Sequence, residues 1–279
     1  MSLAAIVVFN SLEILGLSVL TVAIVTAWVS PTVKRTPTWY TFILAGILSS
    51  VVQLLLLRQQ VGPPPNRTVC FVQGTLIYPM TALNALICAA LIFQVYFLLK
   101  LTRRSRSLSQ VHIFWINAIP IIISLAVLVY ALIVGARDQT QIQRDNSGIR
   151  CHIVPPKVSD ATAGVSVAAG IFILVTESIV VYNMFRNREV YREVLDRSKI
   201  SPNFLIRICV FNIVVLIVMV CAVWSPKGLN ESGRFDLGNI SQAVLPAAEG
   251  LIFGTQKDIL TAWKFWRRKE SVSRQANNV

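Results

Sequence analysis

Four Glu or Arg side chains lie within long apolar stretches of this chain: Glu13, Glu177, Glu249 and Arg207. An ionised side chain in a membrane interior costs about 2.5–3.5 kcal/mol, so each is a functional candidate. Arg207 is predicted to pair with Glu177 or Glu249 and so to act with it as a switch. Pro246, one helical turn before Glu249, is predicted to be a hinge of the same switch. The alternatives are a glutamate hydrogen-bonded to a neighbouring helix and an arginine that extends to the lipid headgroups.

A second group of polar and aromatic side chains could bind an extracellular ligand. Tyr78, Thr81 and Asn84 follow the i, i+3, i+6 spacing that keeps side chains near one face of a helix. Such a mixture is typical of a ligand pocket, and it equally fits hydrogen bonds between membrane helices. The predicted ligand-binding residues are Gln53, Tyr78, Thr81, Asn84, Trp224 and Gln242.

Catalytic and cofactor chemistry is poorly represented. The two histidines, His112 and His152, fall at opposite ends of the apolar stretches, which makes a histidine-based metal site or nucleophile relay hard to build. Lys257 is the one candidate in the last stretch for a retinal Schiff base, and it lies at the end of that stretch. We therefore predict no enzyme activity, metal or cofactor.

The elements that position these residues are predicted from apolar length. Of the 279 residues, 54% are apolar and 14% charged, whereas soluble domains carry about 25% charge. About 20 apolar residues cross a bilayer as a helix. The chain is therefore predicted to be an all-α membrane protein, a seven-transmembrane helix bundle over residues 1–256 with a cytoplasmic segment over 257–279. The predicted spans are Leu3–Val29, Trp39–Leu57, Phe71–Leu99, Val111–Val134, Ala161–Phe185, Phe204–Trp224 and Leu237–Gln256.

The distribution of basic residues predicts the orientation. With the N-terminus outside, 17 of the 26 Lys and Arg residues fall in cytoplasmic segments and eight in outer loops, as the positive-inside rule expects. The glycosylation sequons at Asn66 and Asn230 then face outward. We predict a multi-pass plasma-membrane protein whose N-terminus is extracellular. Its basic face suits anionic membrane lipids or an acidic partner protein rather than nucleic acid.

Two cysteines are predicted to lie on the extracellular side. Cys70 is at the outer end of the third span and Cys151 is in the longest outer loop, where an oxidising compartment permits a disulfide. Such a bond would hold the loop over the mouth of the bundle. For the cysteines within spans, Cys88, Cys209 and Cys221, apolar packing is the favoured interpretation.

The segment after the seventh span is predicted to be a short amphipathic helix. Ile259, Leu260, Trp263 and Trp266 share one face of it, and Lys257, Lys264 and Arg268 share the other. A basic helix with Trp on its apolar face lies in the membrane interface.

Together these features resemble the seven-transmembrane receptors that couple to G proteins. The resemblance lies in the number and orientation of the spans, the Cys70–Cys151 pair and the helix after the last span. The segment 250–258 is more similar to fungal receptor-like proteins that are distantly related to cyclic-AMP-receptor-like ones. The resemblance implies a receptor that binds an extracellular ligand and activates a heterotrimeric G protein.

The cytoplasmic ends of helices three, five and six are the predicted partner-binding surface, since apolar residues at helical spacing there adjoin several arginines. The alternative is that these charges are merely solvated. A small seven-span transporter that uses its glutamates for proton coupling remains the alternative function. The predicted partner-binding residues are Arg103, Arg104, Arg188, Tyr191, Val194 and Leu195.

Overall fold

The computed structural model describes residues 3–31, 33, 35–103, 108–145, 147–186, 202–224 and 237–262. Within these ranges the chain forms seven long α-helices, a short helical segment over 257–262 and one two-stranded antiparallel sheet. The helices are α1 (Leu3–Val29), α2 (Pro37–Gln53), α3 (Arg67–Arg103), α4 (Gln110–Arg137), α5 (Pro156–Arg186), α6 (Pro202–Trp224) and α7 (Leu237–Gly254). The strands are β1 (Ile142–Arg144) and β2 (Cys151–Ile153).

Short polar segments determine where several helices begin. Pro37 occupies the first turn of α2, where its missing N–H leaves no hydrogen bond unmade. The Asn66 side-chain carbonyl accepts a hydrogen bond from the Thr68 N–H at 2.9 Å, which caps α3. Ser109 caps α4 in the same way through the Val111 N–H. The predicted second span ends differently from expectation, because 54–56 tighten into a 3₁₀ turn.

Six helices, α1 to α6, contain stretches long and apolar enough to cross a membrane. Many of their large apolar side chains face outward; Phe114 and Ile122 on α4, for example, are 64% and 56% exposed. A surface of this kind is compatible with an all-α membrane protein. α7 is a helix packed among the others, but it is less apolar than the spanning stretches of those six helices and is not among them.

α3 lies at the centre of one half of the bundle, where it contacts α2, α4 and α5, while α7 packs mainly against α1 and α6. The two halves meet at an aromatic cluster of Phe42, Phe211 and Phe253, from α2, α6 and α7. Their ring centroids are 5.2–5.6 Å apart in edge-to-face arrangements, the geometry that aromatic rings favour. This cluster fixes the position of α7 against the rest of the core.

Candidate functional site

A polar network joins α3, α5 and α6 inside the bundle. The Asn212 amide of α6 donates to Glu177 Oε2 on α5 at 3.2 Å. The Cys88 thiol of α3 donates to Asn212 Oδ1 at 3.1 Å, and Cys209 also contacts the Glu177 carboxylate. Asn212 is fully buried, and buried polar groups between membrane helices couple the positions of those helices.

Glu249 of α7 lies near this network, beside α2. Its side chain is buried and lies against the backbone of Gly46, so closely that a Cβ atom there would be 2.9 Å from Glu249 Cδ. Cys88 lies within electrostatic range of both Glu249 and Glu177. Two of the predicted carboxyl groups thus approach one buried thiol. We call these residues, Cys88, Glu177, Asn212 and Glu249, the polar centre.

The third predicted carboxyl group, Glu13, is also buried but lies elsewhere. It extends from α1 toward the Ser50 hydroxyl of α2. Among the described residues, Glu13 Oε2 and Glu249 Oε1 have no hydrogen-bond partner, and none of the three glutamates forms a salt bridge there. Buried carboxyl groups of this kind are candidates for proton movement in membrane proteins.

Arg207 does not pair with either glutamate, so that prediction is wrong. Its Nη1 donates to the Ile252 carbonyl and, at 3.1 Å, to Thr255 Oγ1, while its Nη2 donates to the Thr255 carbonyl at 3.1 Å. The last carbonyls of a helix have no partner within the helix, and they form the negative end of its dipole. Because Arg207 lies one turn into α6, its guanidinium meets the end of α7 rather than the carboxyl groups above it.

A second arginine holds the chain just after α7. Arg35, between α1 and α2, forms a salt bridge to Asp258 at 2.6 Å. It also donates to Gln256 Oε1 and lies 5.3 Å from the centroid of the Trp39 ring. We call Arg35 and Arg207 together the arginine clamp, because Arg207 bonds to the end of α7 and Arg35 bonds to the residues just after it.

The segment after α7 is helical over 257–262, as predicted. Ile259 is fully buried in the main core, but Leu260, predicted on the same apolar face, is exposed. The other residues assigned to the two faces, from Trp263 onward, lie outside the described residues. Only Ile259 of the predicted apolar face is therefore seen to pack against the bundle.

The opposite end of the bundle carries the β1–β2 hairpin, which is held on α3. Cys70 and Cys151 form a disulfide with their Cα atoms 5.4 Å apart, which confirms the predicted bond. The Tyr78 hydroxyl accepts the Ile153 N–H at 3.0 Å, and Gln73 Oε1 accepts the Cys151 N–H at 2.9 Å. One strand of the hairpin is thus fixed to α3 by a covalent bond and by hydrogen bonds with Gln73 and Tyr78.

The turn of the hairpin is held on α1 and α7. Ile149 is fully buried in a cluster that includes Phe9 of α1 and Ala243 of α7. Arg150 donates to Gln242 Oε1 at 2.7 Å, and Asn239 donates to Ser147 Oγ at 3.2 Å. The hairpin therefore covers this end of the bundle and connects α3 to α7.

The predicted ligand-binding residues have different surroundings in the structure. Tyr78 and Gln242 bind the hairpin, Gln53 is buried, and Thr81 donates to the Ile77 carbonyl of its own helix. Asn84 is half-buried, and the Trp224 side chain lies outside the described residues. A cavity between α3, α4 and α5 has none of the six in its lining.

Other predicted sites fall at the edges of the described structure. Asn66 is exposed and caps α3, whereas Asn230 lies outside the described residues. Asn239, in a third sequon, is buried and bonded to the hairpin, so its amide is inaccessible to a glycan. Of the partner-binding set, Arg103 ends α3, and the others lie outside the described residues: Arg104, Arg188, Tyr191, Val194 and Leu195.

The chain matches no protein-family profile, and no curated protein is significantly similar to it.

Proposed function

We propose that this protein is a plasma-membrane receptor that crosses the bilayer seven times, binds an extracellular ligand and activates a heterotrimeric G protein. In this proposal α7 is the seventh span, and the end bearing the hairpin is extracellular. The disulfide supports that orientation, because such bonds persist in oxidising compartments. The excess of basic residues at the opposite end agrees with it.

One observation carries the proposal: the hairpin contacts two of the helices that carry residues of the polar centre. Tyr78 and Gln73 connect it to α3, which carries Cys88, and Gln242 connects it to α7, which carries Glu249. A ligand that displaces the hairpin would therefore shift α3 relative to α7. A ligand changes an equilibrium only through contacts that differ between two states. In this proposal the contacts of the hairpin with α3 and α7 are the ones that differ.

In this proposal the arginine clamp links the movement of α7 to α6 on the cytoplasmic side. Arg207 connects α6 to α7 at the end away from the hairpin. Movement of α7 would break these bonds and release the beginning of α6, exposing a surface for the G protein between α3, α5 and α6. Anionic membrane lipids would stabilise the basic face around that surface.

The decisive experiment is capture of Gα subunits on the detergent-solubilised full-length protein. Capture without nucleotide that a non-hydrolysable GTP analogue reverses is the expected result. Arg207→Gln is expected to raise basal nucleotide exchange, and Arg207→Lys, which keeps one charged donor, is expected to raise it less. Absence of capture across Gα classes, with folded protein and a coupling-competent receptor as control, would refute the receptor proposal.

The unpaired carboxyl groups favour one second candidate, a proton-coupled transporter. Glu249 and Glu13 are buried without a salt bridge among the described residues, and proton relays use such groups. Glu249→Gln would then abolish proton-coupled uptake in vesicles. Glu249→Asp, which keeps a titratable carboxyl group at this position, is the matched control and should retain part of the uptake. Uptake that is insensitive to a pH gradient would eliminate this candidate.

A further inference from the structure

A lateral groove lies between α3, α4 and α5, away from the polar centre. Within the described part of the chain its volume is about 690 Å³, inside the range of about 300–1,000 Å³ for small-molecule sites. α4 and α5 both pack along α3 but make few contacts with each other. Rim residues Trp115 and Phe172 are 51% and 43% exposed. The groove therefore opens sideways, toward the surface that would face lipid.

The length of the groove matches one leaflet of a bilayer. Its lining on α3 extends from Leu86 to Phe97, about 16 Å at 1.5 Å per residue. Half of a hydrocarbon core of about 30 Å is about 15 Å. Small side chains form much of the wall on α3 and α5, and several aromatic rings flank it. The alanines are Ala89, Ala90, Ala168 and Ala169, and the phenylalanines are Phe93, Phe97 and Phe172.

Polar groups are confined to one end of this lining. Among the described residues of the lining, His112 and Trp115 are the only side chains with a hydrogen-bonding group, and none is Lys, Arg, Asp or Glu. His112 lies two residues after the start of α4 and packs near Phe97, with ring centroids 5.6 Å apart. A phosphate headgroup seeks cationic partners, and the described part of this lining offers none. A neutral lipid with one hydroxyl needs a single polar partner at one end.

We propose that the groove binds a sterol of the surrounding bilayer. The flat ring system lies against the alanines, between the phenylalanine rings, and the hydroxyl bonds to His112. The inference goes beyond the receptor proposal, because it requires only that α3, α4 and α5 lie in a bilayer. Failure of Gα capture would leave it unchanged, and failure of sterol binding would leave the receptor proposal unchanged.

A photoactivatable sterol tests the proposal on the full-length protein in phosphatidylcholine nanodiscs, with the crosslinked peptides identified by mass spectrometry. Ala168→Phe fills the groove from an exposed position on α5. Ala163→Phe, also exposed on α5 but outside the lining, is the matched control. We expect crosslinks on α3, α4 and α5. They should fall about tenfold in Ala168→Phe, a change of about 1.4 kcal/mol, and they should persist in Ala163→Phe.

The polar end gives a second measurement. His112→Ala removes the hydrogen-bond partner and should weaken labelling about threefold to tenfold, whereas His112→Gln keeps a donor and an acceptor and should retain most of it. If Ala168→Phe does not fold, Ile119→Trp obstructs the groove from an exposed rim position with the same expected loss.

Three outcomes would overturn the sterol proposal. The first is equal labelling of the groove-filling variant and its control. The second is crosslinking that maps outside α3, α4 and α5. The third is labelling of the groove by a phosphatidylcholine with a photoactivatable acyl chain that excess sterol does not displace, which would assign the groove to phospholipid.

Discussion

The glycines at which α7 contacts α1 and α2 offer a quantitative test of this packing. A Cβ atom on Gly46 would be 2.9 Å from Glu249 Cδ, and one on Gly16 would be 2.6 Å from the Pro246 carbonyl carbon. Both separations are too short for carbon atoms. Gly164 on α5 has no atom within 4 Å of its Cβ position, so Gly164→Ala is the matched control.

The expected stabilities follow from two opposing effects. Alanine favours a helix over glycine by about 0.5–1 kcal/mol, whereas overpacking costs about 1–3 kcal/mol. Gly164→Ala should therefore be neutral or stabilising. Gly46→Ala should destabilise the protein by a net amount of about 1 kcal/mol, because a carboxyl side chain can shift, and Gly16→Ala by about 2 kcal/mol, because it meets backbone. The melting temperature should fall by about 2–4 °C and 4–8 °C respectively.

Thermal unfolding of the purified variants in one detergent measures these changes. Glu249→Asp shortens the carboxyl side chain by one methylene and should restore most of the stability lost in Gly46→Ala, while giving no such rescue to Gly16→Ala. If Gly46→Ala melts like Gly164→Ala, or if Glu249→Asp affects both clashing variants equally, the packing of Glu249 on Gly46 is refuted.

Three further predictions concern the ends of the bundle. Arg35→Ala removes the salt bridge to Asp258 and should cost about 1–3 kcal/mol, seen as a lower melting temperature. Burial lowers the pKa of His152 in the folded protein. The neutral imidazole therefore stabilises the folded state fully above the ordinary pKa of about 6.5. This contribution is lost as the pH falls through the lower pKa of the folded state. The melting temperature should thus fall more from about pH 7.5 to about pH 5 in the native protein than in His152→Gln. Gln73→Leu leaves the Cys151 N–H without its acceptor, so an aqueous reductant should cleave the disulfide faster than in the native protein.

The helices were predictable because apolar length and helix caps are local properties of the sequence. Six of the seven predicted spans correspond to helices long and apolar enough to cross a membrane. The disulfide was predictable because consecutive spans bring Cys70 and the loop containing Cys151 to the same end of the bundle. The end of α2 was not predictable, because the 3₁₀ turn at 54–56 continues an apolar run and no polar residue marks where the α-helix ends.

The site was less predictable because it depends on how the helices rotate against one another. The prediction that paired Arg207 with a carboxylate considered charge and depth, but the unpaired carbonyls at the end of α7 gave it nearer partners. Asn212, absent from the predicted set, is a polar residue within an apolar stretch, which is a usable signal. The sequence favours apolar packing for Cys88. It gives no signal for Gly46, whose role is to leave room for the Glu249 side chain that lies against it.

These contacts make α7 the element on which both the receptor and the transporter proposals depend. Gly16 and Gly46 allow α7 to pack closely against α1 and α2. Arg207 donates hydrogen bonds at the end of α7, and Arg150 of the hairpin donates one to Gln242 near its beginning. A rigid helix held at both ends transmits a displacement at one end to the other, provided that it has two discrete arrangements. The receptor and transporter proposals differ in what that displacement does. In the first it frees α6 at the arginine clamp, and in the second it changes access to Glu249. A measurement of α6 movement and of Glu249 accessibility in the same variants therefore separates the two more directly than either activity assay alone.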